Sequence, residues 1–130
     1  MPAPILLIDD DEILRKTLNH ALSTYFEAEV IEAANGKIGL TALGQRTDIY
    51  LAIVDIFMPD MDGLEFIRSV RQLGLDIKIL AISGGSSNLP RDFLTYAKAM
   101  GATDVLYKPI ELELFVQTVK NILCTRGEAT

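Results

Sequence analysis

Residues 49–63 read Ile49-Tyr50-Leu51-Ala52-Ile53-Val54-Asp55-Ile56-Phe57-Met58-Pro59-Asp60-Met61-Asp62-Gly63. Ile49–Val54 is apolar with no polar alternation, which is how a strand buried on both faces is written. Asp55 then closes the run with an acid, which an apolar strand does not carry without a use for it. Met58-Pro59 sets a turn beyond that acid, and Asp62-Gly63 opens a helix.

Working outward, similar short runs occur at Ile5–Ile8, Glu29–Ala33, Ile77–Ile82 and Thr103–Tyr107. Helical spacing fills the gaps between them. It is carried by Ile13, Leu14, Leu18, Leu22 and Tyr25, then by Leu64, Ile67, Val70 and Leu73. In the last helix Leu112, Phe115, Val116, Val119, Ile122 and Leu123 form one broad apolar face. Asn35-Gly36 opens the second helix, while Gly74 and Gly101 follow helices as caps. The order βαβαβαβαβα predicts a parallel sheet with helices on both faces. A chain of 130 residues suits one domain, expected over residues 1–124, with a short polar tail at 125–130.

Composition narrows the function. The net charge of −6 disfavours direct binding to nucleic acid, which needs clustered Lys and Arg. Asp9, Asp10, Asp11 and Glu12 crowd together after the first apolar run, where they would attract a divalent cation. Cys124 is the single cysteine, so no internal disulfide is possible, and it is expected to pack as a small apolar side chain. No apolar run is long enough for a signal peptide or a membrane span. A cytoplasmic location and no membrane partner are expected.

In an open parallel sheet, ligands gather outside the carboxyl ends of the strands. Reading those ends gives Asp9 and Asp10, then Asp55, then Ser83, then Lys108. Carboxylates sharing one small volume repel each other unless a cation sits among them. Mg²⁺ fits best, because it binds through one or two carboxylates together with phosphate oxygens. No Cys or His is near enough for zinc, and no calcium-loop spacing is present. Lys108 adds a positive charge beside this site and precedes Pro109, a bond that can be cis. Ser83 offers a hydroxyl to an anionic oxygen. A metal, a lysine and a hydroxyl around one aspartate make a phosphoryl-transfer site, with Asp55 as nucleophile.

Ile8-Asp9-Asp10, the stretch Val54 to Gly63, Ala81-Ile82-Ser83 and Lys108-Pro109 together resemble response-regulator receiver domains of two-component signalling, of the chemotaxis-type single-domain kind. The resemblance covers essentially the whole chain. It implies a (βα)₅ doubly wound parallel five-stranded sheet with the flavodoxin-like strand order 2-1-3-4-5. It implies that Asp55 accepts a phosphoryl group from a sensor histidine kinase or phosphotransfer protein and that the domain then changes shape to control a partner. Asp10 is the implied principal Mg²⁺ ligand, with Asp9 holding a coordinated water and the Phe57 backbone carbonyl completing the protein's share. Ser83 and Lys108 are the implied partners of the phosphoryl oxygens. Self-catalysed phosphorylation and dephosphorylation are expected, not turnover of an external substrate. The implied readout surface is the fourth helix, fifth strand and fifth helix, including Phe93, Tyr96 and Tyr107.

Three positions depart from the family. Val105 stands where an aromatic is usual, and Tyr107, on the same strand face, is a partial substitute. Ser83-Gly84-Gly85-Ser86-Ser87-Asn88 makes a longer and more flexible connection than usual, a candidate switch element. Phe57 is expected to shield an acyl phosphate from water. Asp11 and Glu12 suit the start of the first helix, and His20 is expected in solvent. A non-phosphorylated interaction domain of the same fold is the main alternative. A phosphatase would want an acid where Phe57 stands, and a flavin-binding protein would not place four acids beside a phosphate.

Overall fold

The computed structural model describes residues 3–56, 63–83 and 93–124. Phe57, the Met58-Pro59 turn, Asp62, the Gly84–Asn88 connection, the tail at 125–130 and the Phe93 side chain lie outside what is described. Five strands and five helices alternate: β1 Ile5–Ile8, α1 Glu12–Phe26, β2 Val30–Ala33, α2 Gly36–Gln45, β3 Leu51–Asp55, α3 Gly63–Gln72, β4 Lys78–Ser83, α4 Phe93–Met100, β5 Asp104–Tyr107 and α5 Leu112–Cys124. The strands form one parallel sheet, as the alternation of elements predicts, in the order β2-β1-β3-β4-β5 that the family resemblance implies.

The unbroken apolar runs are explained by two cores, one on each face. Leu6, Ile8, Ala52, Val54, Ile79, Ala81 and Val105 pack with Phe66, Ile67 and Val70 of α3 and Ala97 of α4. Their neighbours Ile5, Leu7, Leu51, Ile53, Leu80, Ile82 and Leu106 pack with Leu18 and Leu22 of α1 and Phe115 and Val119 of α5. Side chains alternate across a strand, so each strand serves both cores. The register places Ile8 beside Val54, Asp55 beside Ile82 and Ser83 beside Tyr107. The carboxyl ends of the central strands therefore finish at one rim.

Local signals start and stop the helices as expected. Asp11 caps α1, its carboxylate accepting from the Ile13 and Leu14 amides at 3.0 and 3.2 Å. Asn35 caps α2 through the Ile38 amide at 2.9 Å. Gly74 and Gly101 take φ of 75° and 122°, a region that favours glycine.

The helical faces need correction. Ile13 is 80% exposed, and Tyr25, Leu73 and Leu112 are exposed as well. Ile13 lies nine residues from Leu22, half a turn out of phase at 100° per residue, so only one of the two can face the sheet. Tyr25 ends the stripe at the last turn of α1. Leu73 falls just past the end of α3, and Leu112 is the first residue of α5. Cys124, the last residue of α5, is exposed where apolar packing is expected.

Candidate functional site

Asp9 follows β1 and is almost completely held. Its amide donates to the Ala33 carbonyl at 3.1 Å, its Oδ1 accepts from the Asp11 amide at 2.8 Å, and its carbonyl accepts from Arg15 Nη1 at 2.6 Å. The remaining oxygen, Oδ2, is buried with no hydrogen-bond partner among the described residues. Burial pushes the Asp9 carboxyl up to about 6; the Asp11 amide opposes this, and the Asp55 charge adds to the rise.

Asp55 is the last residue of β3 and is buried. Lys108, just beyond β5, donates from Nζ to Asp55 Oδ2 at 3.0 Å and lies 3.9 Å from Asp9 Oδ2. The Lys108 amide donates to the Ser83 carbonyl at 2.9 Å, tying this residue to the end of β4. Partial burial lowers the Lys108 pKa, but the hydrogen bond and charge of Asp55, with Asp9 and Asp10, outweigh it and hold the ammonium above its usual value. The Lys108–Pro109 bond is cis.

Asp10 is exposed at the mouth. One carboxylate oxygen from each of Asp9, Asp10 and Asp55 lies within 4.8 Å of the others. Ser83, the last residue of β4, is buried with its Oγ unpartnered among the described residues. Burying a polar atom without a partner costs free energy, and here two such atoms, Asp9 Oδ2 and Ser83 Oγ, belong to residues gathered at one rim. An all-oxygen set of this kind suits a hard divalent cation such as Mg²⁺, and the hydroxyl and ammonium suit an anion beside it.

The structure thus brings together Asp9, Asp10, Asp55, Ser83 and Lys108, while the Phe57 carbonyl lies outside the described residues. Asp11 caps α1, as its position suggested, and His20 is exposed on α1. Two neighbours were not expected. Arg15 reaches back from α1 to the Asp9 carbonyl; the only sequence signal is a long basic side chain six residues after Asp9. Gly63, the first residue of α3, sits against the back of Asp55. A Cβ there would lie 2.6 Å from both the Asp55 carbonyl oxygen and Ile56 Cα, and the Gly63 amide donates to the Ile56 carbonyl at 2.8 Å.

Comparison with known proteins agrees with this geometry. The family model for the response regulator receiver domain matches residues 5–120. The response regulator MprA of Mycobacterium sp. strain KMS is 32% identical over 123 residues, covering 95% of this chain and 51% of that protein. The nitrate/nitrite response regulator protein NarL of Escherichia coli K12 is 37% identical over 113 residues, covering 86% of this chain and 50% of its own length. The chain therefore spans about half the length of the curated relatives it matches. The solved chemotaxis protein CheY4 of Vibrio cholerae superposes with a TM-score of 0.82 at 28% identity, covering 94% of this chain and 99% of that one. A CheY-like receiver domain protein from Methanospirillum hungatei shares the fold, with a TM-score of 0.85 at 24% identity and all of both chains covered. By its sheet order, its acidic rim and these likenesses, the chain belongs to the response regulator receiver domains of two-component systems.

Proposed function

We propose that this domain accepts a phosphoryl group on Asp55 from a phosphohistidine of a sensor kinase or phosphotransfer protein. The observation that carries this reading is the Asp55 carboxylate, buried and held 3.0 Å from Lys108 Nζ, at a rim with two buried oxygens that have no partner among the described residues. An Asp55 oxygen attacks phosphorus, a P–O bond forms as the donor's P–N bond breaks, and the histidine leaves. Lys108 releases Asp55 Oδ2 and turns to the incoming phosphoryl oxygens, and Ser83 Oγ donates to one of them. The proposed Mg²⁺ ligands are Asp9, Asp10 and Asp55, with the Phe57 backbone carbonyl. When bound, the ion supplies positive charge to the phosphoryl oxygens.

The output is a shape change, not turnover of an external substrate. Tyr107 is paired in register with Ser83 and is 48% exposed, whereas Val105 is 6% exposed in the core. Tyr107 is therefore the aromatic placed to carry a change at Ser83 to the surface of α4, β5 and α5, where a downstream protein would bind together with Tyr96. A cytoplasmic location accords with the absence, among the described residues, of any helix long and apolar enough to cross a membrane.

The test is incubation with acetyl phosphate and MgCl₂, read by intact mass. The wild-type chain is expected to gain one phosphoryl group. Asp55→Asn, or chelation of Mg²⁺ by EDTA, is expected to remove the gain. Uptake that persists in Asp55→Asn would sink the assignment.

A further inference from the structure

Arg15 stands behind the acidic rim, and its side chain bonds to the Asp9 backbone and to Glu32. Its side chain is 13% exposed. Nη1 donates to the Asp9 carbonyl at 2.6 Å, and Nε donates to Glu32 Oε1 at 2.7 Å. Glu32, on β2, is itself held from the other side, its Oε2 accepting from Asn19 Nδ2 at 2.6 Å and Lys16 Nζ at 3.0 Å. One guanidinium thus links α1, β2 and the loop that begins with Asp9.

Two physical consequences follow. Asp9 is fixed at its amide by β2, at Oδ1 by the Asp11 amide and at its carbonyl by Arg15, so among the described residues Oδ2 is its one polar atom left without a hydrogen bond. A planar guanidinium beside several carboxylates would ordinarily fork onto one of them in a bidentate pair, occupying oxygens that a cation needs. In this structure Nε is instead taken by Glu32.

We infer that Arg15 is a positioning residue for Mg²⁺ and that Glu32 is its restraint: Arg15 fixes the Asp9 loop, and Glu32 keeps the guanidinium off the acidic rim. The inference rests on the reading of the acidic rim as an Mg²⁺ site. Groups behind a metal's direct ligands commonly set its affinity by about tenfold or more, and here the effect would pass through a backbone carbonyl.

The test is titration of the whole chain with MgCl₂, followed by ¹H–¹⁵N shifts, with amide exchange measured in the metal-free protein. Arg15→Ala is expected to weaken Mg²⁺ binding about tenfold and to speed exchange at Asp11 while core amides such as Ile53 keep wild-type protection. Arg15→Lys, which cannot hold both partners in one plane, is expected to fall between. Glu32→Gln is expected to weaken binding severalfold when Arg15 is present and to add nothing in the Arg15→Ala background, because coupled residues are not additive. Wild-type Mg²⁺ affinity in both single variants, or an equal loss from Glu32→Gln with and without Arg15, would overturn the inference. A wild-type chain that takes up no Mg²⁺ would instead overturn the reading of the rim. Asp11 exchange would then decide the clasp by itself, with unchanged exchange in Arg15→Ala counting against it.

Discussion

At the amino-terminal ends of the strands, Arg46 donates to Glu29 and Asp48, and Arg71 donates to the carbonyls of Leu75 and Gly101 at 2.9 and 2.6 Å. At the carboxyl ends, Asp9 and Ser83 are buried and each keeps an oxygen with no partner among the described residues. Both rims close the same sheet and both carry charge, so packing alone does not explain the difference. A rim that only holds strands together satisfies its polar atoms. A rim that waits for a ligand leaves some of them unsatisfied and accepts the cost in stability. The prediction is that substitutions at the first rim change stability little or for structural reasons only, whereas substitutions at the second separate stability from function.

The largest effect is expected at Gly63, where the carboxyl rim has no slack. A methyl group there would meet the Asp55 carbonyl oxygen and Ile56 Cα at 2.6 Å, and neither backbone atom can rotate away. Gly63→Ala is expected to cost about 3 kcal/mol by urea denaturation, at the upper end of overpacking, and to reduce phosphoryl uptake because Asp55 must shift. A variant that unfolds at the wild-type urea concentration would show that the rim yields more readily than its geometry implies.

Asp9 sharpens the contrast, because removing its charge should help the fold and harm the site. Its pKa rises from an ordinary 3.8 to about 6 on folding, with burial as the main cause. At about 1.4 kcal/mol per tenfold, that is roughly 2–3 kcal/mol held against the metal-free fold at neutral pH. The folded pKa lies above the unfolded one, so stability is fullest below about pH 4 and is lost as pH rises through 6. Between pH 7 and pH 5 the wild-type chain in EDTA is therefore expected to gain about 1 kcal/mol, a gain absent in Asp9→Asn. Glu29, Glu32 and Asp48, whose pKa values are lowered, act in the opposite sense, and only at more acid pH. At pH 7 Asp9→Asn is expected to be more stable than wild type by about 1–2 kcal/mol, less than the full amount because a buried amide also needs partners, and to bind Mg²⁺ poorly. A less stable Asp9→Asn would mean that the acid is a structural fastening like those at the other rim.

Most of the carboxyl rim was legible because it depends on strand order and strand length. Once Ile5–Ile8 and the runs ending near Asp55, Ser83 and Lys108 are read as parallel strands, those residues must meet wherever the chain packs. What was not legible depends on how helices turn against the sheet. Ile13 and Leu14 both fit an apolar stripe on α1, and only packing decides that Leu14 faces inward and Ile13 stays out. The Arg15 clasp is hidden for the same reason, since its partners, the Asp9 carbonyl and Glu32, are joined by no pattern in the sequence. Val105 and Tyr107 share a strand face by register, but their different burial has no signal in the sequence: the first is buried and the second half exposed, because β5 is the edge strand and its end leaves the core.

The smallest effect is expected at Arg46. Its guanidinium makes four hydrogen bonds of 2.8–3.1 Å to Glu29 and Asp48, and both carboxylates are drawn below their usual range by it. On geometry alone this is the best-paired cation in the described residues, and it would be natural to rank it above the Lys108–Asp55 pair. All three groups are open to solvent, however, with side chains 35–58% exposed, so water and salt already satisfy them when they separate. Arg46→Ala is accordingly expected to leave the urea midpoint, phosphoryl uptake and Mg²⁺ affinity at their wild-type values in moderate salt. If the midpoint instead fell by as much as Asp9→Asn is expected to raise it, completeness of pairing and not burial would be what distinguishes the two rims.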